Sequence, residues 1–546
     1  MKKVIVIGSG IAGMTCAIRL AESGVHVTVV SPFPSERSQS VMAAGGINGV
    51  IADCENGDSV ECHIADTLKG GCGISGKAAV SGLCRGAEEI INRLMKIGTV
   101  FSLDESGRLI RRAFGGQSFR RTYYCGSATG KHIVSALVME LRRYEAEGLV
   151  ERRLWSCFYS ALIKNKTCYG VILFDEAKGG LVAETADAVV MAVGGQNAMF
   201  GKTTGSTQCD GYAAGKLFTQ GAELKNLEFI QYHPTTVETR QKRMLISEAV
   251  RGEGGRLFYN DNGKRVYFME EKYGKNGNLM TRDVISREID ALKKDVFLDI
   301  SFLGEKEIKK RLFEVYELCL KYKGIDITAE PIPVAPSVHF FMGGLAVHLN
   351  HETNIKNLFA IGECASMYHG ANRLGGNSLL SAQYSGGVAA KEIAQRDFSP
   401  FETPDFSAEL SAEQERLERL KSNKKSRFPA GYIRDMLAEI MRDDLGISRN
   451  EASLKSGIES IDYYISVANS INYDSSVPMH ELYSLCAILQ LARATLTCAL
   501  ERRESRGAHF REDYPETNGD FGFASIISYD GGKYRVHLDK ECDYES

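Results

Sequence analysis

The chain opens on a short apolar run, Val4-Ile5-Val6-Ile7, and passes through Gly8, Gly10 and Gly13. Apolar positions then recur at helical spacing to about Ala21, and a second apolar run fills 25–30. This pattern predicts a buried strand, a tight turn, a helix and a second strand, the βαβ unit of a parallel sheet. The segment 150–195 reads as a β-meander returning to that sheet. Its apolar runs are Val171-Ile172-Leu173-Phe174 and 188–193, the latter ending in Gly194-Gly195. Asn357-Leu358-Phe359-Ala360-Ile361-Gly362-Glu363 predicts a further strand with an acid at its end, and Asn372–Leu380 leads into an apolar helix.

Between these stretches the pattern changes. Residues 231–337 are more charged and predict a second domain inserted into the first, which then comprises 1–230 and 338–400. Pro400 to Pro404 reads as a linker. Helical periodicity over 407–420, 430–445, 449–468 and 480–502 predicts a helical C-terminal domain, 405–515, followed by a tail, 516–546, that is polar with a few strand-like residues after Phe521. The fold class is α/β, and no internal repeat is visible.

Composition narrows the function. The 546 residues suffice for about three or four domains of about 100–200 residues. A net charge of −3 with interspersed signs favours neither nucleic acid nor an anionic membrane as partner. No apolar segment is long enough to span a bilayer, so a soluble chain is expected. Met1-Lys2-Lys3 before an apolar run suggests a secretory signal as the alternative, but glycines at fingerprint spacing break that run. The 14 cysteines are scattered, and the densest group, Cys54, Cys62, Cys72 and Cys84, contains no CxxC pair. Small core thiols in a reducing compartment are therefore expected, with no metal site, and any electron-transfer cluster would belong to another subunit.

The glycine turn carries the first chemistry. Gly8, Ser9, Gly10, Ile11, Ala12 and Gly13 place free amides and the positive end of a helix where a pyrophosphate would lie. The second strand ends in Ser31 rather than the acid of an ordinary NAD site. Arg37–Gly49 is rich in small and hydroxyl residues and suits a planar ligand; Phe114-Gly115-Gly116-Gln117-Ser118 and 205–211 are further small-residue loops.

Polar constellations cluster in and beside the inserted segment: Gln231-Tyr232-His233-Pro234-Thr235, 245–255, Asp283-Val284-Ile285-Ser286-Arg287, and His339 before Met342-Gly343-Gly344, with Arg373 from the first domain. Each alone reads as structural. Two arginines and two histidines beside glycine turns make a receptor for a small dicarboxylate, because a guanidinium meets a carboxylate as a planar fork.

With these motifs the chain resembles, over nearly its whole length, the flavoprotein subunit of the succinate dehydrogenase and fumarate reductase family, to which L-aspartate oxidase is related. The most specific matches are His233-Pro234-Thr235, Ser247-Glu248-Ala249-Val250-Arg251-Gly252-Glu253-Gly254, His339 with Met342-Gly343-Gly344, and Asn372–Leu380; the match continues to Glu504–His509. The resemblance implies an FAD-binding Rossmann-like domain, an inserted α+β capping domain that is mobile over the flavin, and a helical C-terminal domain. It implies that His233, Ser247, His339 and Arg373 bind substrate carboxylates, that Arg287 exchanges the proton, and that Glu248 and Arg251 reset it. Besides the glycine turn and Ser31, it implies FAD contacts at Ser38, Gln39, Ser40, Ala44, Gly45, Gly46, Cys157, Gly194, Asp210, Glu363, Asn377, Ser378 and Leu379.

Two departures stand out. Gln39 occupies the place of the histidine that members carry as a covalent FAD link, so non-covalent FAD is expected. Ala44 replaces the usual Gln or Glu before Gly45-Gly46. The loss of the covalent link favours fumarate reduction over succinate oxidation. The expected activity is reduction of fumarate or a related unsaturated dicarboxylate, fed by an iron–sulfur protein. A cytoplasmic location is expected, with a peripheral place at the cytoplasmic membrane face where partner subunits anchor the complex. L-aspartate oxidation, the succinate dehydrogenase direction and a non-enzymatic assembly role are the alternatives.

Overall fold

The computed structural model describes residues 2–51, 57–126, 128–398, 404–422, 428–471 and 477–539. Met1, Cys54, the linker residues 400–403 and the tail residues 540–546 lie outside them. The central sheet is parallel and five-stranded. From one edge to the other it runs Leu358–Ala360, Ala188–Met191, β1 (Lys3–Ile7), β2 (His26–Ser31) and Val150–Leu154. Val4, Ile5 and Val6 are wholly buried, which explains a continuous apolar run in place of alternation. Burying each such side chain contributes about 1.5–3 kcal/mol.

Helix α1 (Ile11–Glu22) follows the glycine turn. Gly8 has φ +110°, and a Cβ there would sit 2.2 Å from the Ala192 carbonyl oxygen of the neighbouring strand's extension. A Cβ on Gly13 would sit 2.0 Å from the Gly8 oxygen. Helix and strand thus touch backbone to backbone, and any larger side chain would push the helix away. The segment after β2 divides in three: Val150–Leu154 joins the parallel sheet, Ser156–Thr185 forms an antiparallel meander of its own, and Ala188–Met191 returns beside β1.

The inserted segment builds a six-stranded sheet with helices including Arg282–Leu292 and Phe313–Lys323. It has its own core, with Val237, Ile246, Leu257, Ile285 and Leu298 buried together. Its two long central strands, Ile230–Glu238 and Ile332–Phe341, run on toward the central domain, so the second carries His339 beyond the expected boundary at 337.

The C-terminal helices share one continuous core with the central domain: Leu437, Leu454 and Leu491 belong to the cluster that holds Leu217 and Phe218. The periodicity over 480–502 resolves into two helices, Met479–Tyr483 and Leu485–Glu501, divided at Ser484. The strand-like residues of the tail fall in a hairpin, Ala524–Asp530 with Lys533–Asp539, which adds to a sheet through Leu224–Lys225. Its edge partner lies some three hundred residues earlier, so no local pattern shows the pairing. Among the described residues no helix is long and apolar enough to cross a membrane, and no group of three or more His, Cys, Asp or Glu gathers as metal ligands. The described cysteines are free thiols, most of them buried.

Candidate active site

A cavity of about 860 Å³ lies over the carboxyl ends of the parallel strands, where open α/β sheets bind ligands. Its floor is lined by Gly8, Ser9, Gly10, Ile11, Ala12 and Ser31, by Ser38, Gln39, Ser40, Ala44, Gly45 and Gly46, and by Cys157, Gly194, Asp210, Glu363, Ser378 and Leu379. Two helix N-termini face it. One is that of α1; the other belongs to Asn377–Gln395, whose cap, Gly376, has φ +85°. Unsatisfied amides and the helix dipole make each end attractive to negative charge.

Two predicted floor residues do not line the cavity. Gly13 works in the helix–strand contact described above. Asn377 is fully buried behind the floor, where its Oδ1 accepts from the Asn48 amide at 2.7 Å and its Nδ2 donates to Thr67 Oγ1 at 3.0 Å. It anchors the start of the helix.

The floor chemistry is mostly neutral. The Ile11 amide donates to Ser40 Oγ at 3.1 Å, and Ser9 Oγ donates to Ser31 Oγ at 2.9 Å. Among the described residues Ser38 Oγ and Gln39 Oε1 are buried with no partner, an arrangement that calls for a polar ligand. Asp210 Oδ2 is held by His480 Nε2 at 2.7 Å, and its Oδ1 accepts from the Tyr212 amide at 2.9 Å. Burial would raise the Asp210 pKa, but His480, Arg434 and that amide together lower it. Glu363 Oε1 accepts from the Phe341 amide at 3.1 Å, and burial pushes its carboxyl up to about 7. A long cavity with two helix ends, partnerless polar atoms and one weakly acidic carboxyl fits an elongated dinucleotide.

The opposite wall is charged. His233, Ser247, Glu248, Arg282, His339 and Arg373 all reach the cavity. The two imidazoles meet edge to face at 5.3 Å. His233 Nδ1 accepts from the Thr235 amide at 3.3 Å, and His339 Nδ1 lies 2.8 Å from Thr204 Oγ1, so both rings are anchored through Nδ1. Gln231 joins the arginines: its Oε1 accepts from Arg282 Nη1 at 3.1 Å and from Arg373 Nη2 at 2.9 Å. Its amide nitrogen donates to Asn372 Oδ1 and to the Arg373 carbonyl, both at 2.8 Å.

Arg287, the arginine expected in the proton-exchanging role, is not in this cavity. Its side chain is 31% exposed, lies 3.8 Å from Asp283 and sits over the Phe510 ring at 5.2 Å. Arg282, five residues earlier on the same helix, is there instead. Five residues at about 100° each set the two side chains about 140° apart around the helix axis. Arg282 shares the buried face with Ile285, Ser286 and Ile289, whereas Arg287 falls off it. The apolar periodicity of that helix is the signal in the sequence that distinguishes them.

Arg282 donates from Nε and Nη2 to Glu248 Oε2 at 2.9 and 2.7 Å. Glu248 Oε1 accepts from the Gly115 amide at 2.8 Å and lies 3.5 Å from Arg251 Nη2. Burial opposes the Glu248 charge, but Arg282, Arg251 and the amide overcome it and hold the carboxyl at about 2. Arg251 stands behind Glu248, away from the cavity, with Nη1 on the Asn278 carbonyl at 2.8 Å. Burial, followed by Arg282, lowers the pKa values of both histidines well below the ordinary range. Burial and Arg282 likewise press on Arg373, which lies against the Phe340 ring and has no carboxylate in ion-pair contact among the described residues. The wall therefore holds an excess of positive charge that an incoming dianion would neutralise.

Comparison with known proteins identifies the family. Residues 3–379 match the FAD binding domain family, and 434–542 match the fumarate reductase flavoprotein C-terminal family. The chain is 37% identical to a succinate dehydrogenase flavoprotein subunit of Bacillus subtilis, covering 95% of this chain and 92% of the relative. It is 34% identical to one of the subunits of the CoM/CoB fumarate reductase of Methanothermobacter marburgensis, covering 96% of each. Its fold superposes on the FrdA chain of a mutant E. coli quinol fumarate reductase with a TM-score of 0.90 at 27% identity, covering 98% and 97% of the two chains. FAD is the cofactor these matches imply, and the floor fits it. The chain belongs to the succinate dehydrogenase and fumarate reductase flavoprotein family and is an FAD-dependent oxidoreductase.

Proposed function

We propose that the protein reduces fumarate, or a closely related unsaturated dicarboxylate, to its saturated product. One observation carries this reading: two buried guanidiniums converge on Gln231 Oε1 at 3.1 and 2.9 Å, with the carboxylate of Glu248 paired to Arg282 and two neutral histidines alongside. A small dianion supplies the charge this wall lacks.

When bound, FAD supplies a two-electron redox centre at hydride level. The net reaction replaces the alkene π bond with two C–H bonds, one formed by hydride transfer and one by a proton. Arg373, His339, His233 and Ser247, which line the cavity together, hold the two carboxylates. Cations against a twisted carboxylate stabilise charge as it develops on the alkene. Arg282, in the role first expected of Arg287, donates the proton to the second alkene carbon. Its high intrinsic pKa makes it a poor acid unless it is re-protonated at once; Glu248, bonded to it at 2.7 Å, with Arg251 behind, provides that route.

FAD is held without a covalent bond, because Gln39 offers an amide oxygen where linked members have histidine; that oxygen is buried and has no partner among the described residues. This favours the reductive direction. The relatives are named as subunits, which supports a partner subunit here; that partner is an iron–sulfur electron-transfer protein, and further subunits attach the complex to a membrane.

Anaerobic re-oxidation of the dithionite-reduced flavoprotein by a panel of unsaturated dicarboxylates tests the reading. Rapid re-oxidation by fumarate is expected. Iminosuccinate and peroxide from L-aspartate in air, with no response to fumarate, would overturn it. Acid-denatured protein should release yellow FAD into the supernatant; flavin retained on the precipitate would contradict non-covalent binding.

A further inference from the structure

Trp155 is the chain's only tryptophan. It stands between the strands Val150–Leu154 and Ser156–Lys164 with φ +59°, a left-handed conformation that bulky residues adopt only under constraint. Its indole is not in the core: the residue is 49% exposed. It lines the same cavity together with Pro32, Phe33 and Pro34, which leave the end of β2. Phe33 meets it edge to face, with centroids 6.2 Å apart and planes at 78°.

In a βαβ dinucleotide fold the pyrophosphate lies at the start of the first helix and the adenosine ribose at the end of the second strand. Here those places are Gly10-Ile11 and Ser31. Trp155 and Phe33 stand just past Ser31, at the end of the cavity remote from the charged wall. A large aromatic residue, 49% exposed, lining the cavity and held there by strained backbone, has no structural employment in the apolar core. It has the surface on which a nucleobase stacks.

We propose that Trp155, with Phe33 at its edge, is the platform for the adenine ring of FAD. The platform rests on FAD being the cofactor. It is independent of the substrate, of the direction of reaction and of whether the flavin is covalently attached.

Because Trp155 is the sole indole, its emission reports on this site alone. Acrylamide quenching in the holoenzyme should be nearly abolished relative to the unfolded chain, since the adenine covers the ring. Quenching at about half the unfolded rate, as its 49% exposure would give with nothing stacked on it, would overturn the proposal. Trp155→Ala holoenzyme should release FAD about ten- to a hundredfold faster on dilution, and Trp155→Phe should stay within about threefold of wild type. Affinity for FMN, which lacks adenine, should not change in either variant. Equal release from both variants and wild type, or parallel loss of FMN and FAD, would also overturn it. Where flavin release is undetectable because the flavin is covalently attached, or Trp155→Ala does not fold, quenching of the unaltered holoenzyme decides.

Discussion

The two walls of the cavity are built on opposite principles. The floor uses backbone amides, hydroxyls and two helix N-termini, and most of its residues are small and close together in sequence. The cap-side wall uses long charged side chains from separate stretches, with Gln231, Glu248, Arg282 and Arg373 meeting through direct bonds. The floor binds a cofactor whose shape is extended and largely constant, so a local motif suffices. The opposite wall holds buried charge. That needs mutual neutralisation, which only convergent elements provide.

The largest expected break in this contrast is at the two arginines of one helix. Arg282→Gln should lower fumarate turnover by about 10²–10⁴-fold, while Arg287→Gln stays within a few-fold; steady-state rates with a reduced viologen donor check both. Undiminished turnover in Arg282→Gln would remove the basis for its assignment. Next comes Glu248. Its folded pKa, about 2, lies below the ordinary 4.5, so its contribution of about 3 kcal/mol is fully present above pH 4.5 and is lost as pH falls toward 2. Urea unfolding of Glu248→Gln should show lower stability at neutral pH and a flatter acid limb between those values.

On the floor, Gly13→Ala should cost about 1–3 kcal/mol and loosen FAD, because the new Cβ meets the Gly8 oxygen at 2.0 Å. Thermal denaturation and flavin retention measure this, and fumarate KM in FAD-saturated protein should hardly change. The smallest effect is expected for Gln231→Ala. Loss of the bridge between Arg282 and Arg373 should raise KM about tenfold with a smaller change in kcat, in contrast to the kcat loss at Arg282. A pure kcat effect would show that Gln231 does not position Arg373 for substrate binding.

Much of the floor is legible in the chain. Gly8, Gly10 and Gly13 at their spacing after Val4–Ile7 state a strand, turn and helix, because each position is decided by neighbours within a few residues. His233, Ser247, Glu248, His339 and Arg373 are also recognisable as a polar set, and they line one cavity. Arg282 escapes a reading that does not weigh one helical face against another: Ile285, Ser286 and Ile289 mark its side and exclude Arg287. The C-terminal hairpin escapes for a different reason, since alternation in Ala524–Asp530 is weak and its partner Leu224 is remote.

By itself the sequence determined the βαβ start, the inserted polar segment, the helical C-terminal region and the residue types available for chemistry. All of these follow from periodicity and from steric demands that act over a few residues. Tertiary structure alone decided that Gln231 ties the two guanidiniums together, that Asp210 is engaged by His480, and that Trp155 lines the cavity. These depend on where separate elements come to rest, and electrostatics between buried groups falls steeply with that distance.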